Sequence, residues 1–535
     1  MIRRFRLLAL LATVLVSPAF AQKTLLIPGI GKVHHAVTTA HPEAQEYFDQ
    51  GLAFIYGFNH DEAGKSFQRA AELDPGMGMA WWGIAKALGP NYNLPVDPAR
   101  EKQAWQAIKK AGLLGEKNSP LDRDYIAALA TRFSDAPAAD FKDLNLKYRE
   151  AMRALAVKYP DDLDAATLFA EAGMDVNPWQ LWNAGGAPAP GTSTIVSTLE
   201  SVLRRDPGHL GANHFYIHAV EASENPGRAL PSAQRLAALA PASGHLVHMP
   251  AHTFIRTGDY EAAARTNESA VIVDDALIKA TGEQGIYPMM YYTHNLHFIV
   301  MADAMLGRYQ DSLGAAHRVQ AHVQDIPMLE GLMALPAQVM VRFARWHEIL
   351  DLAAPKNSLP VSNGLWHYAR AMAFAAGGNE PATQRELAAL RQFAPAMART
   401  PTHPAGLGNA QKIPRIAAEI IQARLASGQG NRPAAIQHLR TAVALQDAMD
   451  YNEPAEWFYP VRESLGAALL LNSQPGEAEK VFRADLEVNP RNGRSLYGLR
   501  ESLKAQGKIE DANIVDEQFQ TAWQKADTSL KLGDL

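Results

Sequence analysis

Between Glu43 and Pro75, apolar and small residues recur three or four positions apart in two runs. Tyr47, Leu52 and Ile55 make the first run, and Ala63, Phe67 and Ala70 the second. That spacing sets each run along one face of a helix. Gly57-Phe58-Asn59 interrupts the pattern, and Asp74-Pro75 ends it, because proline cannot continue a helix. The segment predicts a helical hairpin whose small residues mark where the two helices touch.

The same frame returns along the chain. Gly258-Asp259-Tyr260-Glu261-Ala262-Ala263 repeats the turn and the start of the second helix, and Gly307-Arg308-Tyr309 does so after Thr293. A unit of 34 residues from Leu210 to Ser243 ends in Ala240-Pro241. Near the end, Gly476-Glu477-Ala478 with Asn489-Pro490 closes one unit, and Asn492 to Ala526 makes the last. This pattern resembles the tetratricopeptide repeat (TPR) family, in its secreted bacterial form, over nearly all of the chain beyond residue 42. The resemblance implies an all-α, right-handed superhelical solenoid of about twelve TPR-like hairpins. It also implies a concave groove able to take a protein or peptide partner. The expected layout is a leader over 1–21, an N-terminal arm over 22–42 and a solenoid over 43–399. A linker over 400–415 and C-terminal repeats over 416–535 complete it. Two insertions depart from the frame: 177–194, with Gly185-Gly186 and Pro188-Ala189-Pro190-Gly191, and about half a repeat over 276–292.

Seven of the eighteen histidines crowd into three successive repeats: His214, His218, His245, His248, His252, His294 and His297. With units starting at Leu210, Gly244 and Thr293, they fall only at repeat positions 2, 5 and 9. At about 100° per residue these positions share one stripe, roughly 140° from the packing positions 4, 7, 8 and 11. The family resemblance implies that this stripe lines the concave groove. Glu221 falls at position 12 beside His214 and His218. One repeat earlier, Glu171 and Asp175 fall at positions 9 and 13, and Met301 stands at position 9 of the third unit.

Such a stripe has the means to bind metal. His214 and His218, like His248 and His252, are i, i+4 pairs about 6 Å apart along the axis, close enough to share an ion. Neighbouring helices about 8–10 Å apart let two facing imidazoles meet at one ion. His245 and His252 lie about 10.5 Å apart along their helix, so one ion does not use them both with His248. A mononuclear site between two helices, or two adjacent sites, follows. Imidazole with carboxylate suits zinc, copper, nickel, iron or manganese and disfavours calcium and magnesium; zinc and copper fit best. The metal ligands expected are the seven histidines with Glu171, Asp175 and Glu221, and Glu171 or Glu221 could serve as a catalytic base. The competing reading is a polar groove that hydrogen-bonds a peptide or an acidic ligand. His34, His35 and His41 stand in the N-terminal arm. His60 and His347 sit near turns, and His367 at a packing position. Trp179 and Trp182 either anchor the 177–194 loop or form a lip for a ligand. The run Glu453 to Arg462, EPAEWFYPVR, reads as an aromatic lead-in to a helix that covers the groove.

The ends and the composition narrow the function further. Arg3, Arg4 and Arg6 precede an apolar run, Leu7 to Val16, broken only by Thr13; Ala19-Phe20-Ala21 supplies a small-x-small cleavage pattern. That is a secretory leader and predicts a periplasmic protein. No cysteine follows it, which excludes a lipid anchor, and the absence of cysteine altogether excludes thiolate metal sites and a cysteine nucleophile. The formal charge of −5, made more acidic by loss of the basic leader, argues against nucleic acid as a partner. No HExxH helix, Walker loop or GxSxG elbow is present, so neither a nucleotide cofactor nor a familiar catalytic motif is expected.

Overall fold

The computed structural model describes residues 24–95, 97–136, 140–356, 358–400 and 407–535. The expected leader and residues 401–406 of the expected linker lie outside them. Among the described residues the structure is all-α; extended backbone pairs only at two isolated bridges, Asn91–Leu94 and Trp182–Pro188. No helix among these residues is long and apolar enough to cross a membrane.

The helices form successive antiparallel hairpins: Pro42–Tyr56 on His60–Leu73, Gly78–Leu88 on Pro98–Gly115, Thr293–Met305 on Tyr309–Val323, Gly493–Ala505 on Ile509–Ala522. The turn chemistry recurs in register. Asn59, Asp259, Asn379 and Asn431 each cap the second helix of a hairpin by accepting the backbone N–H three residues on. Core packing recurs too. The Phe67 ring occupies the space left by Gly51 and Gly83, and Phe482 does the same with Gly466 and Gly498. Ile413–Gly428 packs on the hairpin Pro360–Ala376 and Glu380–Met397 and shares its apolar cluster.

Two departures shape the histidine region. Pro250, which has no N–H to give, divides the first helix of its repeat into Gly244–His248 and Pro250–Arg256. The surplus around 276–292 is a 22-residue second helix, Tyr260–Thr281, followed by one wide π-helical turn, Tyr287–Tyr292, that runs into Thr293–Met305. Single π turns of this kind recur at functional sites.

The array also closes on itself. The N-terminal arm is packed down: the Ala242 N–H donates to the Gly29 carbonyl (2.9 Å), and Tyr47 Oη to the Thr24 carbonyl (2.9 Å). At the other end, Lys525 pairs with Glu261 (2.7 Å), and the Tyr309 N–H donates to Asp527 (2.7 Å). Gly258, at φ +77°, lies so close to the C-terminal repeats that a Cβ there would sit 2.2 Å from the Pro490 carbonyl oxygen. One large apolar cluster runs from Ile30 to Tyr291 and a second from Val271 to Leu535. A smaller third cluster lies beside the histidine stripe, its Phe298 ring packed against His248, His252 and His294.

Candidate metal centre

The repeat frame delivers the histidines to one place. The Leu210–Val220 helix carries His214 and His218 and is capped by Glu221; the split helix carries His245, His248 and His252; Thr293–Met305 carries His294. The first five rings are no more than 1% exposed. They form two triplets whose nitrogens lie within 4.8 Å of one another: His214, His218 and His245, and then His248, His252 and His294. Within them, His214 Nε2 is 3.2 Å from His245 Nε2, His248 Nε2 2.9 Å from His252 Nε2, and His294 Nε2 3.4 Å from His252 Nε2.

Four of the opposite ring nitrogens face acceptors, while that of His245 has no hydrogen-bond partner among the described residues. His214 Nδ1 lies 2.6 Å from the Tyr56 carbonyl, which only accepts, so Nδ1 carries the proton. Asn267 Nδ2 donates to the Ala263 carbonyl (2.8 Å), leaving its Oδ1 to accept from His248 Nδ1 (2.6 Å). His218 Nδ1 is 3.0 Å from Glu221 Oε1. His252 Nδ1 is 2.6 Å from both Glu221 Oε2 and Glu453 Oε2. With Nδ1 protonated, His214 and His248 each turn an Nε2 lone pair toward a neighbouring ring nitrogen, on His245 and His252. Buried lone pairs facing each other repel unless a proton or a metal ion sits between them. His218 Nε2 has no hydrogen-bond partner among the described residues.

Titration behaviour fits that picture. Burial, with neighbouring histidines adding to it, pushes His214, His245 and His248 well below the usual histidine range. His252 goes the other way: burial alone would lower it, but Glu221 and Glu453 raise it to about 10. Glu221, despite burial, is drawn down to about 2 by His252 and His218. Burial lifts Glu453 to about 7, with His252 opposing. The two carboxylates therefore hold a cation at His252 in the absence of anything else.

Aromatic rings wall the first triplet. Phe58 stacks on His218 (5.7 Å) and His245 (5.8 Å), and Tyr92 lies 5.2 Å from His218 with Trp179 stacked on it (5.3 Å). Phe58 and Trp179 both hold positive φ, at 55° and 61°, a strained setting for large side chains. Trp182 anchors its loop by donating Nε1 to the Ala219 carbonyl (2.8 Å). Beyond the second triplet lies a cleft of about 90 Å3, lined by His294, His297, Glu453, Leu335, Val361 and Phe458.

Glu171 and Asp175 are not brought to the histidines. Both are buried, but in a separate charge cluster: Glu171 pairs with Lys86 (2.6 Å) and Asp175 with Arg132 (2.9 Å). The frame set these carboxylates on the right stripe, yet each finds its cation on another repeat first. His297 borders the cleft and joins neither triplet; burial lowers it to about 4. His35 is held by Asp164 (2.8 Å), so the arm is docked at that point, while His34 lies exposed against Asp49. His367 pairs with Glu386 of its own hairpin (2.6 Å). Glu453 is the residue that sequence reasoning passed over. Nothing in EPAEWFYPVR marks it, and its partner His252 lies some two hundred positions away, reached only because the array closes.

No protein-family profile matches the chain, and no curated protein matches it. Among solved structures it is similar to human IFIT1 in its dimer with PPP-AAAA, at 12% identity and a TM-score of 0.33, covering 91% of this chain and 92% of that one. It is similar also to the TPR domain of P58(IPK), at 12% identity and a TM-score of 0.23, covering 87% and 98%. A third is Naa15/Naa10 bound to HypK-THB, at 13% identity and a TM-score of 0.22, covering 90% and 71%. Overlaps this loose leave the helical-repeat architecture to rest on the hairpins themselves.

Proposed function

We propose that this solenoid binds transition metal in its groove through the buried histidines, as a protein secreted to the periplasm. One observation carries the reading: the ring nitrogens of two triplets gather within 4.8 Å of one another, pairs of them at 2.9–3.4 Å, while the outward nitrogens of His214 and His248 are spent on acceptors. Tying back the far nitrogen is how proteins fix the tautomer and aim of a metal-binding imidazole. The test is the metal content of the mature chain, purified from the periplasm and then incubated with zinc or copper. Content near zero in both states would end the proposal.

The cleft beside His294 favours a catalytic version of the same reading, a hydrolase or an oxidase. Three protein ligands with an open position are the mark of a catalytic rather than a structural site. Glu171 is taken up by Lys86, so the role of base passes to Glu221 or Glu453, the carboxylates within reach of His252. The peptide-groove reading is weaker, because a peptide backbone would have to reach rings that are already enclosed. A protein partner elsewhere on the solenoid is compatible with the proposal. Nucleic acid is not part of it, given the acidic charge.

A further inference from the structure

The two triplets are the same motif, one repeat apart. The first takes positions 5 and 9 of one repeat, His214 and His218, and position 2 of the next, His245. The second takes positions 5 and 9 of that next repeat, His248 and His252, and position 2 of the third, His294. His297 would open a third triplet at position 5, but position 9 is Met301 and the following first helix, Leu335–Arg342, has no histidine. One repeat before the first triplet, Thr167 and Glu171 stand at positions 5 and 9, so the series does not extend backwards. The motif therefore occurs twice, with three donors each time.

The triplets are also joined. Glu221 approaches His218 of the first with one oxygen and His252 of the second with the other, at 3.0 and 2.6 Å. Rings of different triplets lie 5.5 Å apart at His218–His252 and 5.7 Å apart at His245–His248. A carboxylate gripping one ligand from each set fixes both against each other, so a change at either is felt at the other.

Charge narrows the ion. Six imidazoles used as ligands are neutral, and the carboxylates in contact with them are Glu221 and Glu453, both buried. Two monovalent ions are balanced once both carboxylates are ionised. Two divalent ions would leave excess positive charge in an interior that tolerates little of it, unless bridging anions came with them. Imidazole is a good copper ligand, and copper is the metal of this class with a stable monovalent state.

Resting on the metal-binding reading above, we propose that the groove holds two ions, one per triplet, and that they are copper carried in its monovalent form beside Glu221 and Glu453. The triplets are quasi-equivalent sites generated by the repeat, with Glu221 as the positioning residue common to both.

The experiment titrates the full mature chain with copper(I), held by a competing chelator without oxygen, and separately with zinc(II). The parent should take two copper ions per chain. His245→Gln and His294→Gln should each take one, and the double variant none, with helical circular dichroism confirming that each is folded. Glu221→Gln should weaken both sites, by roughly 10–100-fold. One ion in the parent, or loss of both ions in a single-site variant, overturns the pairing while leaving metal binding intact. Two zinc ions with no copper overturns the charge assignment alone. No binding of either metal overturns the metal reading itself. X-ray absorption on the copper-loaded parent tests the ligand set without any variant. Three imidazole nitrogens per copper are expected, and sulfur in the shell would contradict the assignment.

Discussion

Replacing Gly258 with valine tests whether the array closes on itself. Gly258 stands at φ +77°, and a Cβ there would lie 2.2 Å from the Pro490 carbonyl oxygen and 2.7 Å from its carbon. Two costs add. The left-handed backbone opposes a branched side chain by about 1–2 kcal/mol. The overlap is with backbone, which cannot rotate away, and forced overpacking adds about 1–3 kcal/mol more. Gly430 separates them, because it has φ +75° and nothing within 4 Å of its Cβ position. Gly430→Val should therefore lose about 1–2 kcal/mol and Gly258→Val about 2–5 kcal/mol. Urea unfolding followed by circular dichroism measures both, with midpoints compared directly because repeat arrays need not unfold in one step. Opening that seam should also draw the C-terminal half, and Glu453 with it, away from His252, so Gly258→Val should weaken metal binding where Gly430→Val does not. Equal losses of stability in the two variants would refute the Pro490 contact and the closure built on it.

Further expectations follow from single side chains. His218→Ala should lower metal affinity by roughly 10–100-fold or more by isothermal titration. It should also cost stability, since the ring it removes is buried against Phe58 and Tyr92. His367→Ala should cost modest stability through Glu386 and leave metal binding unchanged; equal effects of the two on affinity would contradict the site. Glu171→Gln strands Lys86, 1% exposed, without its partner, which should destabilise by about 3–5 kcal/mol with no change in metal affinity; an affinity loss would return Glu171 to the ligand set. Below pH 6.5 the unfolded chain takes up protons that His214, His245 and His248 refuse, so their contribution falls with pH. Asp274 and Asp303, raised to about 7 by burial, and Glu283, raised to about 8, hold protons that the unfolded chain has released, so their contribution falls as pH rises towards 8. Summed over these six groups, the metal-free protein should thus melt highest at about pH 5–6; a midpoint still rising at pH 8.5 would contradict the assignment. Metal binding should weaken below about pH 6, where protons compete for imidazole.

How much was legible in the chain follows from what a repeat does. It converts position within a unit into position in space, so the hairpins and the common stripe of His214, His218, His245, His248, His252 and His294 could be read from spacing alone. The pairing of ring nitrogens across neighbouring repeats could not, because it depends on how far Pro250 and the π turn at Tyr287–Tyr292 rotate each helix. Carboxylates were the least legible. Glu171 and Asp175 have the right register but meet Lys86, on a helix earlier in the array, and Arg132, in the turn that follows Pro120–Ala130. Glu453 has no register at all and arrives through the closure of the array.

Crystals of the copper-loaded mature chain, recorded on both sides of the copper absorption edge, put the central claim to the most direct test. Anomalous peaks are expected at about 2.0–2.1 Å from the nitrogens of His214, His218 and His245, and from those of His248, His252 and His294. Peaks confined to surface histidines such as His34, with ordered water between the buried imidazoles, would contradict it.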